Sequence, residues 1–140
     1  MAIRKILSIL ILTCLSGCVS MMDFNRDSIK DVFVLDFESK EQNCDRSSVG
    51  VNHTDARKFF QNRATMMTKR QIDVYYPYVM CYAMGSLVYM GAVCEWKIYA
   101  SGTGNIKCKD RTWYFACDDC DDLLHKDFDR VCCKCPRSAD

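Results

Sequence analysis

Residues 78–117, "YVMCYAMGSLVYMGAVCEWKIYASGTGNIKCKDRTWYFAC", decide the fold. Within Ala92–Ala100, Cys94, Trp96 and Ile98 alternate with Glu95, Lys97 and Tyr99. That period of two gives a strand one buried face and one wet face. Met90-Gly91 fits a two-residue hairpin turn. Closing it pairs Tyr89 with Ala92, Leu87 with Cys94 and Gly85 with Trp96. The side chain that Gly85 lacks then leaves room for the indole opposite. Cys81, Ala83, Gly85 and Leu87 share the core face with Cys94, Trp96 and Ile98, and a slip of one residue would turn all of them to solvent. "SGTG" (101–104) and "KDR" (109–111) make two further turns. Ile106, Cys108, Trp113 and Phe115 continue the inner face. Four antiparallel strands in a meander follow.

Upstream, "HTDARKFFQNRATMMTKR" (53–70) reads as one helix. Ala56, Phe59, Phe60, Ala64 and Met67 recur at helical spacing on one face. Thr54 is a candidate N-cap, and Asp55 suits the positive end of the helix dipole. "DVFVLDFE" (31–38) fits a strand or a short helix, and 39–52 reads as a loop carrying Cys44. The predicted domain, residues 31–140, is α+β: one helix packed on a four-stranded antiparallel meander, stapled by disulfides. A short, helical, cysteine-rich tail ends it.

Nineteen basic residues oppose eighteen acidic ones. Such a balance suggests neither nucleic acid nor an anionic surface as partner. There is no phosphate-binding glycine loop. His53 and His125 are the only histidines, and neither stands in a recognisable nucleophile context. No cofactor is implied, and a non-enzymatic role is expected.

Cysteine is the anomaly, with eleven in 140 residues. Cys44, Cys81, Cys94, Cys108, Cys117, Cys120, Cys132, Cys133 and Cys135 follow residue 18 and are disulfide candidates; their number is odd. Cys94 and Cys108 fall on neighbouring strands, diagonally offset, and Cys81 could reach Cys44. Three readings compete for the tail. Cys117 and Cys120 could join Cys132, Cys133 or Cys135 as a clamp. Alternatively Cys117, Cys120, Cys132 and Cys135 could hold zinc, with one residue between the last pair where two to four are usual. As a third reading, a strand leading into Cys117-x-x-Cys120 at a helix start locally resembles the thioredoxin arrangement, which implies thiol–disulfide exchange. Asp118 and Asp119 oppose it by raising the thiol pKa. Asp118, Asp119, Asp121 and Asp122 lack the glycine and terminal glutamate of a calcium loop.

The N-terminus supplies a location. Arg4 and Lys5 precede a short apolar run, Ile6–Leu12, with small residues at its exit. These are the marks of an export signal. The run is well short of the roughly 20 residues needed to span a bilayer. Leu15-Ser16-Gly17-Cys18 resembles the lipobox of bacterial lipoproteins. The resemblance implies cleavage of residues 1–17, lipidation of Cys18, and residues 18–30 as a tether. In enterobacterial members an aspartate after the cysteine retains the protein in the inner membrane; Val19-Ser20 here implies the outer membrane, facing the periplasm.

The expected protein is thus a membrane-anchored envelope lipoprotein that binds another envelope protein or serves as a structural subunit, an immunity-type inhibitor being one form. The alternatives are a periplasmic thiol–disulfide oxidoreductase using Cys117 and Cys120, or a zinc-binding structural module. Tyr78, Met80, Tyr82 and Met84 form the expected partner surface on the outer face, unless the N-terminal segment covers them.

Overall fold

The structure, a computed structural model, describes residues 23–124. The chain is mixed helix and sheet around one six-stranded antiparallel sheet. Strand β1 is Ile29–Ser39. Helix α1, His53–Lys58, runs into a wider π-type turn over Phe59–Arg63. Strand β2 is Thr65–Met67 and helix α2 is Lys69–Tyr75. Strands β3 (Cys81–Tyr89), β4 (Ala92–Tyr99), β5 (Thr103–Cys108) and β6 (Arg111–Ala116) follow. The spatial order is β1-β3-β4-β5-β6-β2.

The β3–β4 hairpin closes in the expected register, whereas Cys94 and Cys108 lie directly opposite each other and not diagonally. Tyr89 pairs with Ala92, Leu87 with Cys94 and Gly85 with Trp96. Met90 and Gly91 both take positive φ (49° and 79°), the conformation a two-residue turn needs to follow the strands' twist. Lys109 and Asp110 close the β5–β6 turn between Cys108 and Arg111.

Two strands were not counted in the four-stranded prediction. "DVFVLDFE" resolves as part of β1, which pairs with β3 through two register irregularities, one of them beside Asp31 at φ 48°. Such bulges twist an edge strand away from further pairing. Strand β2 pairs with β6 and covers the sheet's other edge.

The single helix over 53–70 is divided. Asn52, not Thr54, is its N-cap, in a reciprocal box with Asp55. At Ala64 the backbone turns extended, and β2 begins. The Arg26 guanidinium fixes that exit, donating to Phe60 O at 3.1 Å and Ala64 O at 2.7 Å. It satisfies carbonyls that the ended helix leaves open. Thr68 then caps α2 in a second box with Gln71.

Phe59, Phe60 and Ala56 of the first helical segment are fully buried against the sheet's inner face, with Trp96, Leu87, Ile98, Ile106 and Phe115. Phe60 meets Phe115 edge-on at 5.2 Å and Trp96 at 6.0 Å. Packing of this kind adds to area burial. The core also takes in Phe24, stacked on Tyr89 at 4.6 Å, and Ile29. Part of the stretch expected as tether is therefore fixed to the domain, because Phe24 fills the space between Tyr89 and Trp113 and Ile29 is buried.

Among the described residues, three disulfides staple the domain. Cys44 joins Cys81, Cys94 joins Cys108, and Cys117 joins Cys120. The Cα separations of the first two are 6.1 and 4.5 Å, within the range a bridge accepts.

Candidate functional site

The sheet has two distinguishable ends. Ile29, the β3–β4 turn and the β5–β6 turn lie at one end; Ser39, Cys81, Tyr99 and Thr103 lie at the other. At this second end, on the outer face, α2 and the loop after it stand over the sheet and leave a groove of about 520 Å³. Pro77, which cannot extend a helix, sits just past the end of α2. The groove is lined by four tyrosines: Tyr76 and Tyr78 from that loop, Tyr99 from β4 and Tyr114 from β6. Asn105 from β5 and the Lys69–Asp73 pair from α2 add polar groups.

Tyr99, Asn105 and Tyr114 share the outer face because the period of two puts them there; Asn105 lies directly across from Tyr114. Burial raises the Tyr99 phenol pKa, and a hydrogen bond with Asn105 opposes the rise. Burial, then the hydrogen bond it donates to Asp118 at 2.8 Å, pushes Tyr76 up to about 12. Lys69 Nζ donates to Asp73 Oδ2 at 2.6 Å, one helical turn away, and that bond raises the lysine pKa. The lining thus offers flat phenol faces, an amide and one ion pair. Such groups hold a ligand by stacking and hydrogen bonding. His53, the one described histidine, lies elsewhere: its Nδ1 accepts from Val34 N–H at 2.8 Å beside β1.

Of the expected partner surface, Tyr78 is 80% exposed and at the groove's rim, its hydroxyl donated to the Met80 sulfur. Met80 and Met84 are half-buried. Tyr82 is only 4% exposed and cannot serve as a contact residue. Its phenol donates to Glu38, directly across on β1. Lys97 Nζ lies 4.6 Å above its ring, and Tyr99 flanks it at 5.2 Å. That bond to Glu38, with burial second, pushes its pKa up to about 12. The outer face is wet only in part because α2 and long side chains shelter it. Tyr76, Asn105, Tyr114 and Tyr99 were not singled out in the sequence; only the outward period of the last three was visible there.

Cys117 and Cys120 are bonded to each other, so the clamp to the tail does not form through them. Both are buried. Cys117 N–H donates to Gly102 O at 2.9 Å, and Leu123 and Leu124 N–H donate to Cys120 O. Arg63 holds the loop from outside, donating to Asp119 O at 2.7 Å and to both Asp122 carboxylate oxygens. The bridge closes a turn that brings Leu123 and Leu124 back into the core. Exchange requires a thiolate to reach a sulfur along the S–S axis; burial of both half-cystines opposes that approach. Cys117, Asp119 and Cys120 present ligand-type atoms within 4.8 Å of one another. Bonded sulfurs, however, are not the thiolates zinc needs. Cys18, His125, Cys132, Cys133 and Cys135 lie outside the described residues.

No family model, no characterised protein and no solved structure matches the chain, so its role must follow from the chemistry of its own residues.

Proposed function

We propose that the protein is a lipid-anchored cell-envelope module, not an enzyme, that takes an extended peptide segment of another envelope protein into the tyrosine groove. The groove is the observation that carries this reading. Tyrosines supply large, rigid contact area at small entropic cost. Aromatic-lined grooves suit extended, proline-containing segments, whose backbone is already ordered before binding. Asn105 and the Lys69–Asp73 pair would then register the peptide's carbonyls and amides.

Two further features support an envelope setting. Cys18 follows a lipobox-type sequence. Three disulfides in a single small domain suit an oxidising compartment.

Selection of displayed peptides on the immobilised, oxidised protein tests the reading. Enriched peptides should lose about 30-fold in affinity against Tyr114→Ala, the consequence of removing an anchoring contact worth roughly 2 kcal/mol. Near-ultraviolet circular dichroism checks that the variant is folded. No enrichment, or enriched peptides indifferent to both Tyr114→Ala and Asn105→Ala, would refute peptide capture by this groove.

A further inference from the structure

We infer that the end of the domain formed by the β3–β4 and β5–β6 turns rests on the lipid headgroups of the membrane that holds Cys18. This deepens the anchored reading and rests on it.

The leash is short. Phe24 is buried in the core, stacked on Tyr89, and Asn25 N–H donates to the Tyr89 hydroxyl at 3.0 Å. The chain is therefore fixed to the domain from Phe24 onward, at the β3–β4 end. Cys18 precedes Phe24 by six residues. Fully extended, six residues reach about 22 Å at most. A lipid on Cys18 keeps this end of the sheet close to the bilayer. The tyrosine groove, towards the far end of the nine-residue β3, stands roughly 20 Å farther out.

The surface at the near end suits a headgroup layer. Met90 at the turn is 63% exposed and Val93 on β4 is 76% exposed. Val93 pairs with the half-buried Val88, and Lys30 of β1 lies on Val88's other side. Lys107 and Lys109 border the β5–β6 turn and are exposed. Single exposed apolar side chains are ordinary, and others are exposed elsewhere; these two stand where the short leash would hold the chain against lipid. Apolar tips enter the headgroup layer while lysine stems extend along it. Asp31, Glu95 and Asp110 stand among the lysines. The contact therefore draws on apolar burial and proximity, and should persist at high salt, where a basic patch would let go.

Amine acylation with a water-soluble reagent, read residue by residue by mass spectrometry, tests this. Full-length lipidated protein in phosphatidylethanolamine–phosphatidylglycerol vesicles is compared with its Cys18→Ser form in solution. Lys30 and Lys109 should react several-fold more slowly on vesicles, at low and high salt, while Lys40 and Lys69 at the far end keep their rates. Met90→Asp with Val93→Asp should return Lys30 and Lys109 to the solution rate with the lipid still attached. Intact mass showing no lipid on Cys18 would remove the anchor and the orientation together. Lipid on Cys18 with equal reactivity at both ends would overturn the orientation alone. Protection that persists in a dimeric Cys18→Ser protein would assign this surface to a second copy instead.

Discussion

Replacing Gly85 with alanine tests the packing on which the whole sheet depends. A methyl at this position would sit 2.5 and 2.7 Å from two indole carbons of Trp96, and closer still to the Phe33 carbonyl oxygen of β1. Ordinary contacts of this kind are about 3.5–4.0 Å. Neither neighbour can give way easily. Trp96 is fully buried, its Nε1 donating to Ser86 O at 3.1 Å, and Phe33 O is backbone. Overpacking a core typically costs 1–3 kcal/mol, and two rigid neighbours place this case near about 3. The lower backbone entropy of alanine in the unfolded chain offsets up to about 1 kcal/mol. A net loss of about 2–3 kcal/mol is a large part of a small domain's stability. In urea, with the disulfides intact, the midpoint should fall by about 1–2 M. The cycle with Trp96→Phe separates steric from other causes. The smaller ring removes the indole contacts, and loss of the Ser86 bond is common to both backgrounds and cancels. The double variant should be more stable than the sum of the single losses by about 1 kcal/mol. An unchanged midpoint for Gly85→Ala, or strict additivity with Trp96→Phe, would refute the reasoning.

Three other outcomes are expected. Arg26→Ala leaves Phe60 O and Ala64 O without their charged donor and should cost about 2–3 kcal/mol in the same urea assay; a loss no larger than that of an exposed arginine such as Arg57 would contradict the capping role. Tyr76 and Tyr82 hold their protons to about pH 12 in the folded protein, against about 10 for an unfolded chain. Their contribution to stability is therefore complete below pH 10 and lost as pH rises towards 12. Ultraviolet titration should show a late-ionising fraction that shrinks in Tyr76→Phe and Tyr82→Phe; one common transition near 10 in the native protein would contradict it. Digestion of the unreduced protein after alkylation should yield linked peptides for Cys44–Cys81, Cys94–Cys108 and Cys117–Cys120, and a crosslink from any of these six to Cys132, Cys133 or Cys135 would overturn the pairing.

The β3–β4 hairpin was fully legible in the sequence, because a two-residue turn and a period of two leave one register once Trp96 must face inward. The helix was not. Its apolar spacing continues through Ala64 and Met67, but the chain leaves the helix where Arg26 and the open edge of β6 claim the backbone, and both are distant in sequence. A local sign existed: Thr68-x-x-Gln71 is a capping box and announces a new helix start. Strand β1 stayed ambiguous because its alternation is interrupted at Asp31 and around Leu35, where the register shifts. Cysteine spacing alone could not choose between Cys117–Cys120 and a bond to the tail. The groove was hidden for a related reason: Tyr76 and Tyr114 meet only when α2 lies over the sheet.

The Cys44–Cys81 bridge has a mechanical consequence. The chain enters β1 at one end of the sheet, and the groove occupies the other. Tension between the N-terminus and a ligand in the groove would run along β1 and β3, sliding one past the other so that their hydrogen bonds share the load. Peeling them apart one bond at a time is a weaker geometry. Just beyond Ser39, the covalent link from Cys44 to the first residue of β3 takes up whatever those bonds release.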